Sequence, residues 1–408
     1  MRSMPYIILG LITVLTFSYF TSTDSKLNTN ILPATTLEGT ISNSHTTGLA
    51  TETENEIIRI LLVPGHDKKS VGGQYLNLTE EKINLTLSKE LMQLFKNDTE
   101  FDIVVTRDEN GYSDFLNTYI DDNKLSIESF YKEKQEAIEQ LVERGLFEWP
   151  DGPHHASASS EMVLRLYGIN KWANENDVDI ILNLHFNDDP ERRSHHDRGK
   201  YEGFAIYVPN TQYDNSIASK SLANKIFEKL HTYYPISNLP QEKSGIVESH
   251  KLIAIGSYNT LNIPSVVIEY GYLYEPQFDN EITREASIQH LALQTYLGVH
   301  EFFENYNVES ANRQKERKVF DELLREDNNL VYGLRTNKSV FTLQALLAYL
   351  GQYPPQEYTK RQCVLDGDFG KCTESAIKEF QKEYSLVIDG SVGSETKVKL
   401  REALSENN

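Results

Sequence analysis

The chain has 408 residues, enough for about two or three domains and at least one large core, with 60 acidic against 40 basic side chains and a net charge of -20. That balance argues against nucleic-acid binding, which needs a basic face to displace counterions from phosphates. Otherwise an acidic surface speaks mainly to solubility.

Residues 1–22 combine Arg2 with an apolar run from about Tyr6 to Phe20, short for a bilayer span and suited to a secretory signal peptide. Export to an extracellular, periplasmic or cell-wall location follows. No small-x-small cleavage site comes after the run, so an uncleaved membrane anchor through residues 5–20 is the alternative. Residues 23–55 are rich in Ser, Thr, Asn and Glu without periodic apolar positions, the composition of a disordered linker.

From 56 to 306 the strand-like runs IIRILLVPG, FDIVVTR, VDIILNLHF, GFAIYV and PSVVIEY alternate with helical patterns. Such alternation predicts an α/β domain, a twisted central sheet with helices on both faces. An insert over about 108–160 carries a charged helical stretch near Ser126 to Arg144 and the loop DGPHHASASSE. Long inserts near a site are often lids or regulators, so this one is expected to cover or shape the cleft and is the place for a regulatory partner.

Residues 307–338 read as a polar linker and 339–408 as a compact three-helix module. Its apolar faces are marked by Leu343, Leu346, Leu347 and Leu350, by Ala376 and Phe380, and by Val398 and Leu400. The module holds an echo: Asp366, Gly367, Gly370 and Thr373 recur as Asp389, Gly390, Gly393 and Thr396 at the same spacing. Each copy is a Gly-bearing turn running into a Ser/Thr-led helix start. Cys363 and Cys372 lie across a short loop, where an oxidising compartment favours a disulfide over a zinc site that lacks two further ligands.

Candidate chemistry sits at strand ends. Ile60 to Val63 form an apolar run closed by Pro64 and Gly65, so His66 falls just past the C-terminal end of a buried strand, the edge where open α/β sheets hold ligands. In the next helix the stripe Ile83, Leu87, Leu91, Leu94 and Phe95 extends back to Glu80, which joins the buried face, whereas Glu81 should point to solvent. His185 ends a second apolar strand and Glu269 a third. Two imidazoles and one carboxylate leave a fourth tetrahedral position for water, as in catalytic zinc sites. A buried, unpaired Glu269 would cost several kcal/mol, so it should face a polar site as a general base.

These residues resemble the zinc-dependent N-acetylmuramoyl-L-alanine amidases that cleave bacterial peptidoglycan. The resemblance rests on Gly65–His66, on Glu80 before Asn84–Leu85, on Thr106–Arg107, on Ala173–Asn174 ahead of a strand ending in His185, and on Pro264 leading a strand that ends in Glu269. It implies that His66, Glu80 and His185 bind Zn2+ and that Glu269 is the catalytic carboxylate. Arg107 and Asn187 are expected at the substrate. The C-terminal unit is similar to the three-helix peptidoglycan-binding module through Asp366 to Gly370, Ala376 with Phe380 and Gln381, and Asp389 to Thr396. Asp67, Lys68 and Lys69 replace the usual glycines after Gly-His, which implies a stiffer loop, and Ile169 stands where an Arg is usual.

The implied reaction is hydrolysis of the amide between N-acetylmuramic acid and L-alanine by a zinc-activated water. The rivals are a catalytically degenerate wall-binding or regulatory protein and a zinc carboxypeptidase of related fold. His154 and His155, and His195 and His196, read as loop residues. HEFFEN lacks the second histidine of the helical metalloprotease motif, so His300 is expected on a helix surface.

Overall fold

The computed structural model describes residues 57–149, 159–303 and 309–407; the signal or anchor segment, the 23–55 linker and the His154–His155 pair lie outside the described residues. β1 (Ile58–Pro64) leads through a short ribbon, β2 (Gln74–Tyr75) and β3 (Leu78–Thr79), into α1 (Glu80–Lys96). β4 (Phe101–Val105) is followed by the pair β5 (Arg107–Asp108) and β6 (Gly111–Tyr112), then α2 (Asp114–Glu143), α3 (Ser160–Glu175) and β7 (Ile180–Asn187). β8 (Ala205–Pro209), α4 (Ser216–Tyr233), β9 (Ile246–Ser249), β10 (Ser265–Tyr272) and α5 (Glu281–Phe303) complete the α/β part. α6 (Glu309–Arg325), α7 (Lys338–Tyr349), α8 (Lys371–Glu383) and α9 (Ser394–Glu406) follow.

The strand order is β4-β1-β7-β10-β8-β9. β4, β1, β7 and β10 run parallel, β8 is antiparallel to β10, and β9 is parallel to β8. The sheet is therefore mixed, with helices on both faces. Strand periodicity sorts its side chains: Ile60 and Leu62 of β1, Leu182 and Leu184 of β7 and Val266 and Ile268 of β10 enter the core with α1, α4 and α5. Leu61, Val63 and Ile181 face α2 and α3 instead. His185 and Glu269 share that second parity and are direct partners in the β7–β10 register. A one-residue slip would turn both away from the same side. β9 was not anticipated, because the four residues of IVES carry no run of apolar positions.

The insert differs from expectation. Its helix, α2, begins at Asp114 rather than near Ser126 and buries Leu116, Ile120 and Ile127 against Tyr167 and Ile169 of α3. Farther along, Ile138 packs with Phe147 and Tyr213. Tyr213 follows the end of β8, which by its antiparallel pairing lies at the edge of the sheet opposite Glu269. The described part of the insert thus packs along one face of the sheet, from α3 to Tyr213. At the cleft side, Glu161 of α3 reaches Lys69 Nζ at 3.0 Å.

The expected linker carries α6, whose Phe320, Leu323 and Leu324 are buried at i, i+3 and i+4, worth roughly 2 kcal/mol each in transfer terms. His300, expected on a surface, is 3 % exposed and bonded through Nε2 to Asp98 Oδ2 at 2.7 Å.

In the module the echo has a structural cause. Gln344 of α7 accepts through Oε1 from the Asp366 and Gly367 amides and donates to Asp366 Oδ1, Asp368 O and Thr373 Oγ1. Gln381 of α8 repeats this, accepting from the Gly390 amide and donating to Asp389 Oδ1, Ser391 O and Thr396 Oγ1. One buried amide side chain thus clamps each turn. Val398, assigned to an apolar face, is 49 % exposed, while Leu400, Ala403 and Leu404 are buried. Cys363 and Cys372 form a disulfide.

Candidate metal centre

His66, at the end of β1, stands in the left-handed region at φ 64, a strained conformation for a side-chain-bearing residue that needs support around it. The support is explicit. Arg107 donates to Pro64 O at 2.9 Å, Gly65 O at 2.6 Å and Glu81 O at 3.1 Å, and Asn84 Nδ2 donates to Gly65 O at 3.0 Å. Beyond His66, the Asp67 carboxylate accepts from the Lys69 and Ser70 amides, both at 2.8 Å, closing the glycine-poor loop into a tight turn.

Glu80 opens α1 directly beside this loop. Its Oε2 lies 3.0 Å from His66 Nε2 and its Oε1 2.8 Å from His185 Nδ1. The Gly73 amide, at 2.9 Å, and the Phe186 amide, at 3.3 Å, fix the carboxylate in place. The imidazoles stand edge to face with centroids 5.2 Å apart. One ligand atom from each of the three residues lies within 4.8 Å of the others. Burial opposes ionisation of Glu80, but hydrogen bonds from His185 and His66 hold its carboxyl well below the usual range. Burial likewise works against His66, yet the bond and charge of Glu80 raise it. The cluster is a carboxylate shared between two imidazoles, a donor set that suits a divalent cation.

Close approach here depends on absent side chains. A Cβ on Gly65 would stand 2.2 Å from His185 Cε1, and one on Gly72, where φ is +70, 2.3 Å from Glu80 Oε2.

Glu269 adjoins His185 in register and faces Ala205, a small residue that leaves room over it. It is 6 % exposed, and its Oε2 is buried with no hydrogen-bond partner. Burial first, then the charges of Glu80 and Glu242, push its carboxyl well above the ordinary range. Glu242, from a short 3-10 turn over Pro240–Glu242, accepts from Tyr207 at 2.7 Å, Tyr272 at 3.2 Å, Ser237, and Asn187 at 2.9 and 3.1 Å. An orphaned carboxylate oxygen beside two imidazoles and a fixed anion fits a divalent cation with water.

His66, Glu80 and His185 are thus brought together, with Glu269 alongside. One expectation is corrected. Glu81 does not point to solvent: it is 5 % exposed, with Oε1 3.6 Å from Arg107 Nη1. Arg107 is 3 % exposed with its donors on backbone carbonyls, so in this structure it braces the loop that carries His66. Asn187 ends β7, half-buried, with its amide on Glu242 and its Oδ1 accepting from the Asp188 amide at 3.0 Å. Ile169 fills a core position against α2. Glu242 and the role of Asn84 were missed. The Gly-Gly pair at 72–73 was a readable sign of close approach, whereas NLPQEKSG around Glu242 carried none.

A family model described as N-acetylmuramoyl-L-alanine amidase matches residues 60–301. A peptidoglycan binding domain model matches residues 336–400. No curated protein matches the chain. Among solved structures, similarity is found to an N-acetylmuramoyl-L-alanine amidase from Clostridium difficile 630, at 17 % identity and TM-score 0.39, covering 62 % of this chain and 100 % of that one. The CwlD amidase from Clostridioides difficile, in complex with the GerS lipoprotein, gives 16 %, 0.39, 60 % and 98 %. The catalytic domain of CwlV from Bacillus (Paenibacillus) polymyxa var. colistinus gives 15 %, 0.38, 60 % and 98 %.

Proposed function

The chain belongs to the N-acetylmuramoyl-L-alanine amidase family, and on that premise we propose that His66, Glu80 and His185 hold a zinc ion while Glu269 is the general base. The reaction is hydrolysis of the amide between the lactyl group of N-acetylmuramic acid and the L-alanine that begins the stem peptide of peptidoglycan. A cell-wall substrate and a Cys363–Cys372 disulfide put the protein outside the cytoplasm. We assign residues 1–22 to export and the module, residues 339–408, to holding the polymer.

Bound at this site, zinc supplies Lewis acidity, acidifying water and polarising the scissile carbonyl. Glu269 takes the proton of the attacking water and returns it to the leaving amine nitrogen. Its buried, partnerless Oε2 is the observation that carries the assignment, because a carboxylate oxygen left without a donor here is free for a proton that moves. Nearby, the Glu242 carboxylate accepts hydrogen bonds from four side chains, Asn187, Tyr207, Ser237 and Tyr272, which hold it in place. Gly73 and Phe186 hold the Glu80 carboxylate toward both imidazoles.

The test is metal analysis with digestion of purified peptidoglycan by the wild type and Glu269→Gln. The variant is expected to keep one zinc per chain and to lose about 10²- to 10⁴-fold in turnover. Products should be peptides with a new N-terminal alanine and intact lactyl-muramic acid. Wild-type turnover in the variant, or a product with a new C-terminus in place of the alanine amine, contradicts the assignment.

A further inference from the structure

We propose that the C-terminal module is a fixed part of the substrate-binding surface, locked to the catalytic domain at the edge of the sheet that carries Glu269, so that one rigid body grips polymeric peptidoglycan at two points. The proposal rests on the peptidoglycan reading above. A tether and a fixed mount have different structural requirements. A tether needs a covalent connection alone, since linkage by itself raises effective concentration. This chain carries much more.

Three sets of contacts make the mount. First, the apolar core is continuous across the two parts: Leu291 of α5 and Tyr234 belong to one cluster with Val340 and Phe341 of α7, and the His290 ring meets the Phe341 ring with centroids 5.9 Å apart. Second, α6 fills the angle between them, its Glu316 accepting from Tyr233 of α4 and from Gln294 of α5 at 2.7 Å. Third, a loop of the module beside the disulfide reaches into the catalytic domain. Lys360 donates to His231 O, a carbonyl in the last turn of α4, where cations are favoured. Arg361 donates to Ile236 O, to Glu202 O at 3.2 Å and to Glu202 Oε1 at 3.3 Å.

The place of the third contact gives it a function. Phe204 pairs with Ile236, and β8 then begins at Ala205, directly across from Glu269. Arg361 therefore clasps the strand entry at the catalytic edge of the sheet. The module also carries a surface groove of about 430 Å³ lined by Tyr384, Leu386, Val398 and Lys399. A mount of this kind sets a constant offset between the module's hold and the scissile bond. Polymer long enough to span both surfaces is the favoured substrate, and a single soluble disaccharide-peptide gains nothing from the module.

The test uses the full chain with two arms. In one, residues 304–308 are replaced by a protease site, the protein is cut, and the fragments are sized. They are expected to co-elute, and separation into two species overturns the proposal. In the other, Lys360→Glu with Arg361→Glu, which stays covalently linked, is compared with wild type on insoluble wall and on a soluble disaccharide-peptide. The wall rate should fall about tenfold with the fragment rate unchanged, and Glu202→Lys with Arg361→Glu should recover part of the loss. An unchanged or faster wall rate in the double variant means that a tether suffices, and the proposal fails. The cleavage arm reads docking without turnover, so it fails with this proposal alone and not with the amidase reading.

Discussion

Gly65 and Gly72 decide how closely the two imidazoles and the carboxylate approach. A methyl at Gly65 must displace the His185 ring, since it would sit 2.2 Å from Cε1. Gly65→Ala should therefore fold, by far-UV circular dichroism, yet bind zinc at least tenfold more weakly in a competitive chelator titration; unaltered affinity would show that the ring approach is not needed. Arg107 makes the complementary case. Because it carries the carbonyls of Pro64, Gly65 and Glu81, Arg107→Met should lose about 2–4 kcal/mol in chemical denaturation and weaken metal binding, with KM of the residual activity unchanged. A raised KM with full stability would put Arg107 at the substrate instead. At this scale the sequence was informative about position and poor about partners. A histidine after an apolar run is legible as a strand-end residue, and helical spacing put Glu80 on the buried face. Periodicity could not show that Glu81 would find Arg107 below the loop, since a face predicted as solvent becomes interior when another chain segment covers it.

Elements whose role depends on a neighbour were misread for the same reason. The 307–338 segment looks like a linker because its charges outnumber its apolar residues, and Phe320, Leu323 and Leu324 acquire meaning only once α4, α5 and α7 offer them a surface. The buried face of α2 likewise finds its partner in α3, a pairing that the charged stretch alone does not announce. His290 on α5 is a test of the resulting seam. Its Nδ1 meets the Tyr234 hydroxyl at 2.8 Å, its Nε2 the Gln294 amide at 3.3 Å, and burial holds its pKa down to about 3. An unfolded histidine takes up a proton near pH 6.5, so between about pH 6.5 and 3 the unfolded state binds a proton that the native state refuses. Its contribution is full above that window and is lost as pH falls, by up to about 1.4 kcal/mol per pH unit. His290→Gln should flatten this acid slope in urea melts; an unchanged slope would contradict a neutral buried imidazole. In the module, the paired clamps predict that Gln344→Ala and Gln381→Ala each lower unfolding free energy by about 2–3 kcal/mol, because each leaves a turn amide without its acceptor.

As a whole molecule, the protein joins a mixed sheet and a helical module through one core. The alternation of strand-like and helical runs made the α/β architecture legible, and the Asp-Gly echo did the same for the module. The antiparallel turn at β8 and the short β9 were not, because strand direction is set by connections and not by composition. Reduction of the disulfide should lower stability by about 2–3 kcal/mol through the freed loop beside Arg361, seen as a lower melting temperature in reductant. The account stands or falls on three distant side chains sharing one ion. The most direct measurement is X-ray absorption at the zinc edge of the loaded protein: two imidazole nitrogens at about 2.0–2.1 Å with a carboxylate oxygen, and loss of that signature in His185→Ala, are predicted. A zinc environment without imidazole, or one unaltered by removing His185, would contradict it.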